Sequence, residues 1–304
     1  MRKYAVVDIG TNSARLMVAH IQDGQIIADY KTLRLIRMGE GMVGKREIVP
    51  AAMERARDAL NEYLQISRGY GLNKDDFFAF GTSAIRDAAN RGAFVDVIKN
   101  ECGIEIDIIS GDREALLGFA GSIDSEGCMF DIGGGSTEVM QGSLADVRFQ
   151  KSFQIGTVRM LQMFPGGDDA DPKAFAEAHA LAARTFAGVP DIGAYVCTGI
   201  GGTATALAML DLDLTDYSAE RVQGHVMTLR RANELCDMLK SKTKQQRKAI
   251  NGLPEKKADV IVFGAILFVE FMKAVGVQTV TVSDSDNQEG YLKFKLGLIE
   301  AGSR

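Results

Sequence analysis

The sequence contains one short pattern twice, and this repetition restricts the folds that it can adopt. "VVDIGTNSARLMV" starts at residue 6 and "MFDIGGGSTEVMQ" at residue 129, and they align with Asp8 on Asp131 and Gly10 on Gly133. In each copy an apolar strand ends in Asp-Ile-Gly, and a tight loop leads into a second strand. Such internal repeats indicate two similar structural units. The sequence therefore predicts an α/β protein with two lobes, each a mixed sheet flanked by helices.

The length of 304 residues also favours two lobes, because one hydrophobic core rarely serves a chain of this size. Strand and helix patterns alternate after each copy of the repeat. We predict a first lobe at residues 1–122 and a second at residues 123–304, with the hinge near residues 121–127. The longest apolar run, "ADVIVFGAILFVEFM", is interrupted by two acidic residues and predicts a buried helix.

Composition argues against several classes of protein. The formal net charge of −5 disfavours a broad basic surface for nucleic acid. No apolar run is long enough to cross a bilayer, so no membrane partner is expected. The N-terminus enters a strand pattern directly, without a signal-peptide pattern, which favours a cytoplasmic protein. The four cysteines form no CxxC pair and the three histidines are scattered, so neither a zinc site nor a disulfide framework is expected.

The two repeated loops are rich in glycine and hydroxyl residues, which is typical of anion sites. Such loops leave backbone N–H groups available to an anion, and hydroxyls add further donors. Carboxylates cannot bind phosphate directly but can hold Mg²⁺ or another divalent cation. The candidate metal ligands are Asp8, Asp131 and Glu138. The candidate phosphate-binding residues of the loops are Thr11, Asn12, Ser13, Gly133, Gly134, Gly135, Ser136 and Thr137.

Other candidates lie outside the two loops. Arg15 follows the first loop and Arg159 lies in "IGTVRM". An arginine can hold two phosphate oxygens at once, which makes Arg15 a candidate and Arg159 a weaker one. Thr82 and Ser83 either cap a helix or contact an anion. The residues of "GIGGT" either contact phosphate or allow tight packing of a strand on a helix. The candidates in this segment are Gly201, Gly202 and Thr203.

Five motifs occur in order along the chain: "DIGTNSARL", "GTSAIRDAAN", "SGDREALLGFAG", "DIGGGSTE" and "GIGGTATALA". Together they resemble the exopolyphosphatase and guanosine pentaphosphate phosphohydrolase family. The resemblance implies an actin-like (ribonuclease H-like) fold with the active site in the cleft between the lobes. It also implies a short form without the helical C-terminal region of longer relatives. The final helix, from about residue 288, is expected to pack back on the first lobe.

The same resemblance implies an enzyme that hydrolyses phosphoanhydrides with Mg²⁺ or another divalent cation. Glu114 matches the family's general base, although a glutamate in the first turn of a helix is also favourable to the helix dipole. Arg86, in "TSAIRD", resembles the family's phosphate-contacting arginine. The expected substrate is inorganic polyphosphate, and the alternative is guanosine pentaphosphate, a nucleotide of the stringent response. The motifs do not separate these two substrates. A weakly catalytic sensor that binds polyphosphate or a nucleotide is a third hypothesis, and a homodimer is compatible with the sequence.

Two segments depart from this simple interpretation. In "SDSDNQEGYL", Asp286, Asn287 and Gln288 stand where the family pattern has glycine, leucine and arginine. If this segment faces the substrate, the missing arginine weakens binding of a polyanion; if it faces solvent, the change is nearly silent. The basic run "KSKTKQQRK", residues 240–248, predicts a solvated face. At the mouth of the cleft the same run would guide polyphosphate.

Overall fold

A computed structural model describes residues 1–299, which form eleven strands and thirteen α-helices. The strands are β1 (Lys3–Ile9), β2 (Ser13–Gln22), β3 (Gln25–Leu35), β4 (Phe77–Gly81), β5 (Ile106–Ile108), β6 (Gly127–Ile132), β7 (Thr137–Gly142), β8 (Val147–Phe153), β9 (Cys197–Ile200), β10 (Val226–Thr228) and β11 (Thr279–Val282). The helices are α1 (Met42–Lys45), α2 (Pro50–Gly69), α3 (Ser83–Asp87), α4 (Arg91–Cys102), α5 (Gly111–Ser122), α6 (Thr157–Met163), α7 (Pro172–Phe186), α8 (Gly201–Asp211), α9 (Ala219–Val222), α10 (Leu229–Lys240), α11 (Lys244–Lys248), α12 (Ile261–Ala274) and α13 (Asn287–Lys295). Three short 3₁₀ helices span Lys74–Asp76, Pro165–Asp169 and Glu255–Lys257.

The first compact unit, Met1–Gly111, is built on a five-stranded sheet with the order β3-β2-β1-β4-β5. The first three strands form an antiparallel meander, and β4 and β5 continue the sheet in parallel from β1. Helices α2, α3 and α4 contribute to the core against one face of this sheet. Pro50 is the first residue of α2, where its missing N–H costs nothing.

The second unit starts at Asp112 and contains a six-stranded sheet with the order β10-β11-β9-β6-β7-β8. Its larger core lies between one face of this sheet and helices that include α7, α8, α10 and α12. Residues 261–272 of α12 are all buried, which confirms the buried helix predicted for the long apolar run. Within residues 1–299 no helix combines the length and apolar character required to cross a membrane.

The two units repeat one local arrangement. In each unit, three consecutive strands are antiparallel: β1, β2 and β3 in the first unit, and β6, β7 and β8 in the second. The turn between the first two of these strands has the same hydrogen bond in both units. Gly10 N–H donates to the Ser13 carbonyl at 2.9 Å, and Gly133 N–H donates to the Ser136 carbonyl at 3.0 Å. The predicted pair of mixed sheets flanked by helices is thereby confirmed.

The division between the units follows Gly111, whereas the sequence analysis places it after residue 122. Helix α5, which lies between these positions, belongs with the second unit. The final helix starts at Asn287, one residue before its predicted start, and crosses α5 closely. A Cβ atom on Gly290 would lie 1.8 Å from the Leu117 carbonyl oxygen, and one on Gly121 would lie 1.9 Å from the Asp286 carbonyl oxygen. Glycines at this crossing therefore allow the two backbones to touch.

The basic run at residues 240–248 is not simply a solvated face. Arg247 is fully buried, while Lys248 reaches Glu255 at 3.0 Å and Lys240 reaches Asp237 at 2.9 Å. The run therefore contains one structural arginine and lysines that pair with nearby acids. Such pairing reduces its attraction for a polyanion.

A polar cluster between α7, α10 and α12 predicts how stability depends on pH. His179 Nδ1 lies 2.9 Å from Glu270 Oε1, while Lys240 Nζ approaches His179 Nε2 at 3.3 Å. Burial lowers the pKa of His179, and the hydrogen bond with Glu270 offsets this only in part. Burial raises the pKa of Glu270, but its hydrogen bonds with Lys273 and His179 outweigh this and leave it lowered. A second proton on His179 would face the Lys240 ammonium.

We therefore expect the protein to lose thermal stability as the pH falls from 7.5 to 5.5. The unfolded chain takes up the His179 proton near pH 6.5, before the folded chain does, so acid favours unfolding. Glu270 adds a further loss only at lower pH, near the ordinary pKa of a glutamate. Melting curves of wild type and His179→Gln across this pH range test the expectation. The variant should show a flatter dependence on pH, and an unchanged slope would assign the effect to other groups.

Candidate active site

The glycine loop after β6 is held on one side by hydrogen bonds from the start of α6. This segment donates hydrogen bonds to the carbonyl oxygens of all three loop glycines. The donors Thr157 N, Val158 N and Arg159 Nε contact the carbonyls of Gly133, Gly134 and Gly135 at 2.9, 2.8 and 2.8 Å, in that order. Arg159 is therefore tied to the loop's backbone, and its Nη2 contacts Gln154 Oε1 at 3.1 Å. Arg159 thus stabilises the side of the loop that faces α6.

This backing determines where the loop's N–H groups point. In a trans peptide the N–H of one residue points opposite to the carbonyl of the residue before it. The N–H groups of Gly134, Gly135 and Ser136 therefore face away from α6, and they donate no hydrogen bond to any residue within 1–299. Three neighbouring donors on one side of a loop form a concave site for an anion.

The first unit repeats this backing. The Thr11 carbonyl accepts from Gly39 N at 2.9 Å, and the Asn12 carbonyl accepts from Ile36 N at 3.1 Å and Arg37 N at 2.9 Å. The following N–H groups, those of Asn12 and Ser13, are consequently turned to the opposite side. In both duplicated loops, therefore, these N–H groups face away from the segment that binds the loop carbonyls.

Gly156, which the sequence analysis did not select, allows the second loop to be packed in this way. A Cβ atom on Gly156 would lie 2.6 Å from both the carbonyl carbon and the carbonyl oxygen of Gly134, and 2.7 Å from Gly135 N. Any side chain here would push the loop away from α6. The only sequence signal is a glycine just before a helix, which is too common to be diagnostic.

The carboxylates of the second unit are placed by the register of its sheet. Asp131 on β6 lies directly opposite Glu138 on β7, which in turn lies opposite Ser152 on β8. Directly opposed residues project from the same face, so the three side chains form one row. All of Glu138 is buried, and its Oε1 accepts a hydrogen bond from Ser152 Oγ at 2.6 Å.

Asp131 is enclosed by residues that are distant in the sequence. A Cβ atom on Gly201 would lie 2.2 Å from Asp131 Oδ1, so the carboxylate lies directly on the backbone at that position. Gly201 also has φ of 74°, which a residue with a side chain rarely adopts. On Oδ2, Asp131 accepts a hydrogen bond from Asn287 Nδ2 at 3.1 Å.

The matching aspartate of the first unit has a different environment. Asp8 lies opposite Arg15, and its Oδ2 accepts hydrogen bonds from Arg15 Nη2 at 2.5 Å and Nε at 3.1 Å. The guanidinium neutralises this carboxylate, which makes Asp8 a poorer cation ligand than the sequence analysis expected. Arg15 is held by the same contact and is less available to phosphate. At the matching place in the second unit, Glu138 lies opposite Asp131 instead of an arginine.

Glu114 lies over the face of the sheet that carries Asp131. Helix α5 packs on this face through Met129, Met140 and Ile200. At one end of the helix the Asp112 carbonyl accepts a hydrogen bond from the Gln150 side chain of β8. One and a half turns later, a Cβ atom on Gly118 would lie 2.9 Å from Ile200 Cδ1 and 3.1 Å from Met129 Cε. Glu114 is buried between these two contacts, in the first turn of α5.

The start of α3 supplies the other expected group of polar residues, all within the first unit. Thr82 occupies the N-cap position but makes no side-chain capping hydrogen bond. The Ser83 hydroxyl is buried and finds no hydrogen-bond partner among the described residues. Arg86 Nη1 donates to the Ile109 carbonyl at 3.1 Å, which holds one terminal nitrogen of its guanidinium group. Capping therefore does not explain the two hydroxyls.

Two predicted hydroxyl donors instead support the backbone. Thr137 Oγ1 donates to the Ile155 carbonyl at 2.7 Å, and Thr203 Oγ1 donates to the Ile132 carbonyl at 2.7 Å. Each hydroxyl has one proton, so neither side chain can also donate to phosphate. The carbonyl of Gly202 accepts a hydrogen bond from Lys257, a residue that the sequence analysis did not select. This ammonium group adds positive charge beside the start of α8.

The carboxylate oxygens of Asp131 and Glu138 suit a hard divalent cation. Mg²⁺ prefers oxygen ligands and is usually held by one or two carboxylates, with water and substrate phosphate completing its shell. Within residues 1–299 no group of three or more histidine, cysteine, aspartate and glutamate side chains is arranged to hold a metal. A closed cage of protein ligands is thus not present in this range, but two neighbouring carboxylates fit the open coordination that Mg²⁺ uses.

Comparison with known proteins identifies the family. The sequence profile of the Ppx/GppA phosphatase family matches residues 17–297. The chain belongs to this family. Like other members with solved structures, this Ppx/GppA protein has two mixed sheets. It aligns with an exopolyphosphatase from Cytophaga hutchinsonii at a TM-score of 0.88 and 27% identity, over 99% of this chain and 100% of the other. With the Aquifex aeolicus family member the TM-score is 0.80 and the identity 26%, over 97% and 98% of the chains.

Curated relatives carry different names. Exopolyphosphatase 2 of Mycobacterium tuberculosis is 30% identical over 95% of this chain and 97% of its own length. A guanosine-5'-triphosphate,3'-diphosphate pyrophosphatase of Aeromonas hydrophila is 28% identical over 97% of this chain, which spans 59% of that relative. A bifunctional 3-dehydroquinate synthase/phosphatase of Fusobacterium nucleatum is 30% identical over 94% of this chain, which spans only 45% of that relative.

Proposed function

We propose that this protein is an exopolyphosphatase, which releases terminal phosphate from inorganic polyphosphate with the help of Mg²⁺ or another divalent cation. The observation that carries the proposal is the loop after β6. Its three glycine carbonyls are bound to α6, and three consecutive N–H groups are directed to the other side. A loop with this orientation and with glycines at its centre suits a densely charged anion better than a neutral ligand.

The roles of the other residues follow from their chemistry. The loop's N–H groups bind oxygens of a phosphate. Within the first unit, Ser83 and Arg86 are polar side chains that can also donate to an anion. Asp131 and Glu138 would hold the cation, which, when bound, offsets negative charge on the phosphoryl oxygens. Across the strand pair Asp131 lies opposite Glu138, whereas Asp8 lies opposite Arg15. This difference in the cross-strand neighbour favours Asp131 as the cation ligand.

Glu114 acts as the general base in this proposal. Its carboxylate takes a proton from water while the water oxygen bonds to the terminal phosphorus. The bond from that phosphorus to the bridging oxygen breaks, and the shortened chain leaves with the electron pair. The products are phosphate and a polyphosphate one unit shorter. The buried position of Glu114 over the face that carries Asp131 supports this role.

Guanosine pentaphosphate is the second candidate substrate, supported by the name of the Aeromonas relative. Cleavage at its 5' end breaks the same kind of bond with the same groups. A cytoplasmic location is part of the proposal, and the second substrate would connect the protein to the stringent response. The four cysteines are unpaired, which is compatible with a reducing compartment. The proposed partners are inorganic polyphosphate or guanosine pentaphosphate, without nucleic acid or membrane.

The decisive experiment measures phosphate release from long-chain polyphosphate, tripolyphosphate and guanosine pentaphosphate side by side. We expect Mg²⁺-dependent release from long-chain polyphosphate that stops when a chelator is added. Faster release from guanosine pentaphosphate would replace the proposal with the second candidate. Tight binding of polyphosphate without release would identify a sensor, and neither binding nor release would overturn the phosphohydrolase proposal.

A further inference from the structure

The buried contact between Asn287 and Asp131 joins two elements that lie far apart in the sequence. Asn287 is the first residue of α13, and Asp131 lies near the end of β6. Asn287 is only 3% exposed and Asp131 only 7% exposed. The Asn287 Nδ2 atom lies 3.1 Å from Asp131 Oδ2. The donor is therefore the amide group and the acceptor one carboxylate oxygen. An amide turned the other way would set its oxygen against the carboxylate, which repels it.

Asn287 is held firmly in this position. Asp286 precedes it and caps α13 by accepting a hydrogen bond from Gln288 N at 3.0 Å. The Glu289 side chain completes the capping box by accepting from Asp286 N at 2.9 Å. A Cβ atom on Gly118 of α5 would lie 2.6 Å from Asn287 Oδ1, so the amide oxygen lies close to the α5 backbone. The first turn of α13 thus offers a donor at a fixed place.

The carboxylate of Asp131 lies between Gly201 and Asn287. Gly201 contacts its Oδ1 side, and the Asn287 amide binds its Oδ2 side. A carboxylate left alone rotates about its last single bond, whereas one bound on one oxygen keeps its plane. The contact also differs from that of Asp8, whose Arg15 partner cancels its charge. An amide fixes the orientation of a carboxylate and leaves its full negative charge.

We propose that Asn287 is a positioning residue, which orients the Asp131 carboxylate for the divalent cation. This inference rests on the proposed function and adds a specific role for the segment that departs from the family pattern. That segment does not face solvent, because residues Asp286 to Glu289 are all at most 5% exposed. Asn287 acts through Asp131 and does not itself contact the cation. Partners that orient metal ligands typically affect metal affinity by about 10–100-fold.

The test uses the full-length protein, with Mn²⁺ as the probe and no substrate present. Free Mn²⁺ is measured by electron paramagnetic resonance, so the readout does not depend on activity. Asn287→Leu keeps the branched shape of the side chain and removes the donor. We expect this variant to bind Mn²⁺ about tenfold more weakly than wild type. In turnover assays it should need correspondingly more Mg²⁺, while its KM for polyphosphate at saturating Mg²⁺ stays within about twofold of wild type.

Asp286→Ala is the matched control, because it weakens the start of the same helix and keeps the amide donor. Loss of an N-cap lowers the melting temperature, and we expect Mn²⁺ affinity to stay within about twofold of wild type. Equal Mn²⁺ affinity of wild type and Asn287→Leu would overturn the positioning role. Equal weakening in both variants, in proportion to their melting temperatures, would also overturn it in favour of a structural role. Wild type that binds Mn²⁺ but releases no phosphate would instead contradict the proposed function alone.

Discussion

Replacing Glu114 by glutamine is expected to slow phosphate release from polyphosphate by about 10²–10⁴-fold, the usual cost of losing a general base. Glutamine has the same shape but cannot accept a proton from water at neutral pH. The packing of α5 should survive, because glutamine keeps the shape of Glu114 and the apolar side chains of Ala115, Leu116 and Phe119 stay in place in the core. Polyphosphate binding should therefore stay close to that of wild type. The two measurements are single-turnover phosphate release and equilibrium binding.

Asp112→Asn is the matched control for this experiment. Asp112 lies in the same first turn of α5 and loses the same charge, but it is exposed whereas Glu114 is buried. We expect this control to keep phosphate release within about threefold of wild type, since surface charges near a helix end contribute little. If Glu114→Gln keeps near wild-type turnover, another group deprotonates the water. If both variants lose activity equally, the effect comes from charge near the helix and not from the base.

Replacing Arg247 by methionine is expected to lower the free energy of unfolding by about 3 kcal/mol or more. The guanidinium is completely buried and donates to three backbone carbonyls from separate segments. These contacts reach Gly167 at 2.8 Å, Ala258 at 2.9 Å and Leu239 at 3.3 Å. Each buried acceptor that loses its donor costs about 1–3 kcal/mol, and methionine supplies no donor. The loss should lower the melting temperature of the second unit by roughly 6–12 °C.

Lys248→Met provides the comparison within the same helix. Lys248 is partly exposed, and its contact with Glu255 is a surface ion pair at 3.0 Å. Such pairs contribute little, so its unfolding free energy should stay within about 0.5 kcal/mol of wild type. Denaturant titrations of both variants measure the difference directly. Similar stabilities of Arg247→Met and wild type would show that water or neighbouring groups satisfy the three carbonyls without the arginine.

These expectations differ in how far the sequence supports them. Glu114 was selected because its motif resembles that of a known family, and the structure adds its burial above the Asp131 face. Arg247 was hidden within a basic run that predicts solvent exposure. Nothing in "KQQRK" distinguishes the buried arginine from its exposed neighbours, since burial depends on segments up to 80 residues away. Local patterns cannot contain that information.

The altered segment near the C-terminus shows the same limit. From the sequence, the replacement of leucine and arginine by Asn287 and Gln288 offered two alternatives, contact with substrate or exposure to solvent. The structure excludes exposure, because both residues are 3% exposed. It also shows a contact that neither alternative contained, the hydrogen bond from Asn287 to Asp131. Only the crossing of α13 over α5, through Gly290 and Gly121, brings these side chains together.

The sequence by itself determined the duplicated strand-loop-strand units, the buried apolar helix α12 and the two glycine loops. These features follow from patterns of a few residues, in which hydrophobic periodicity and glycine control the local backbone. The tertiary structure decided which charged residue lies opposite each aspartate, because that depends on sheet register: Asp8 lies opposite Arg15, whereas Asp131 lies opposite Glu138. It also decided the backing of each loop and the Asn287 contact, because these arise where packing joins residues separated by as many as 156 positions.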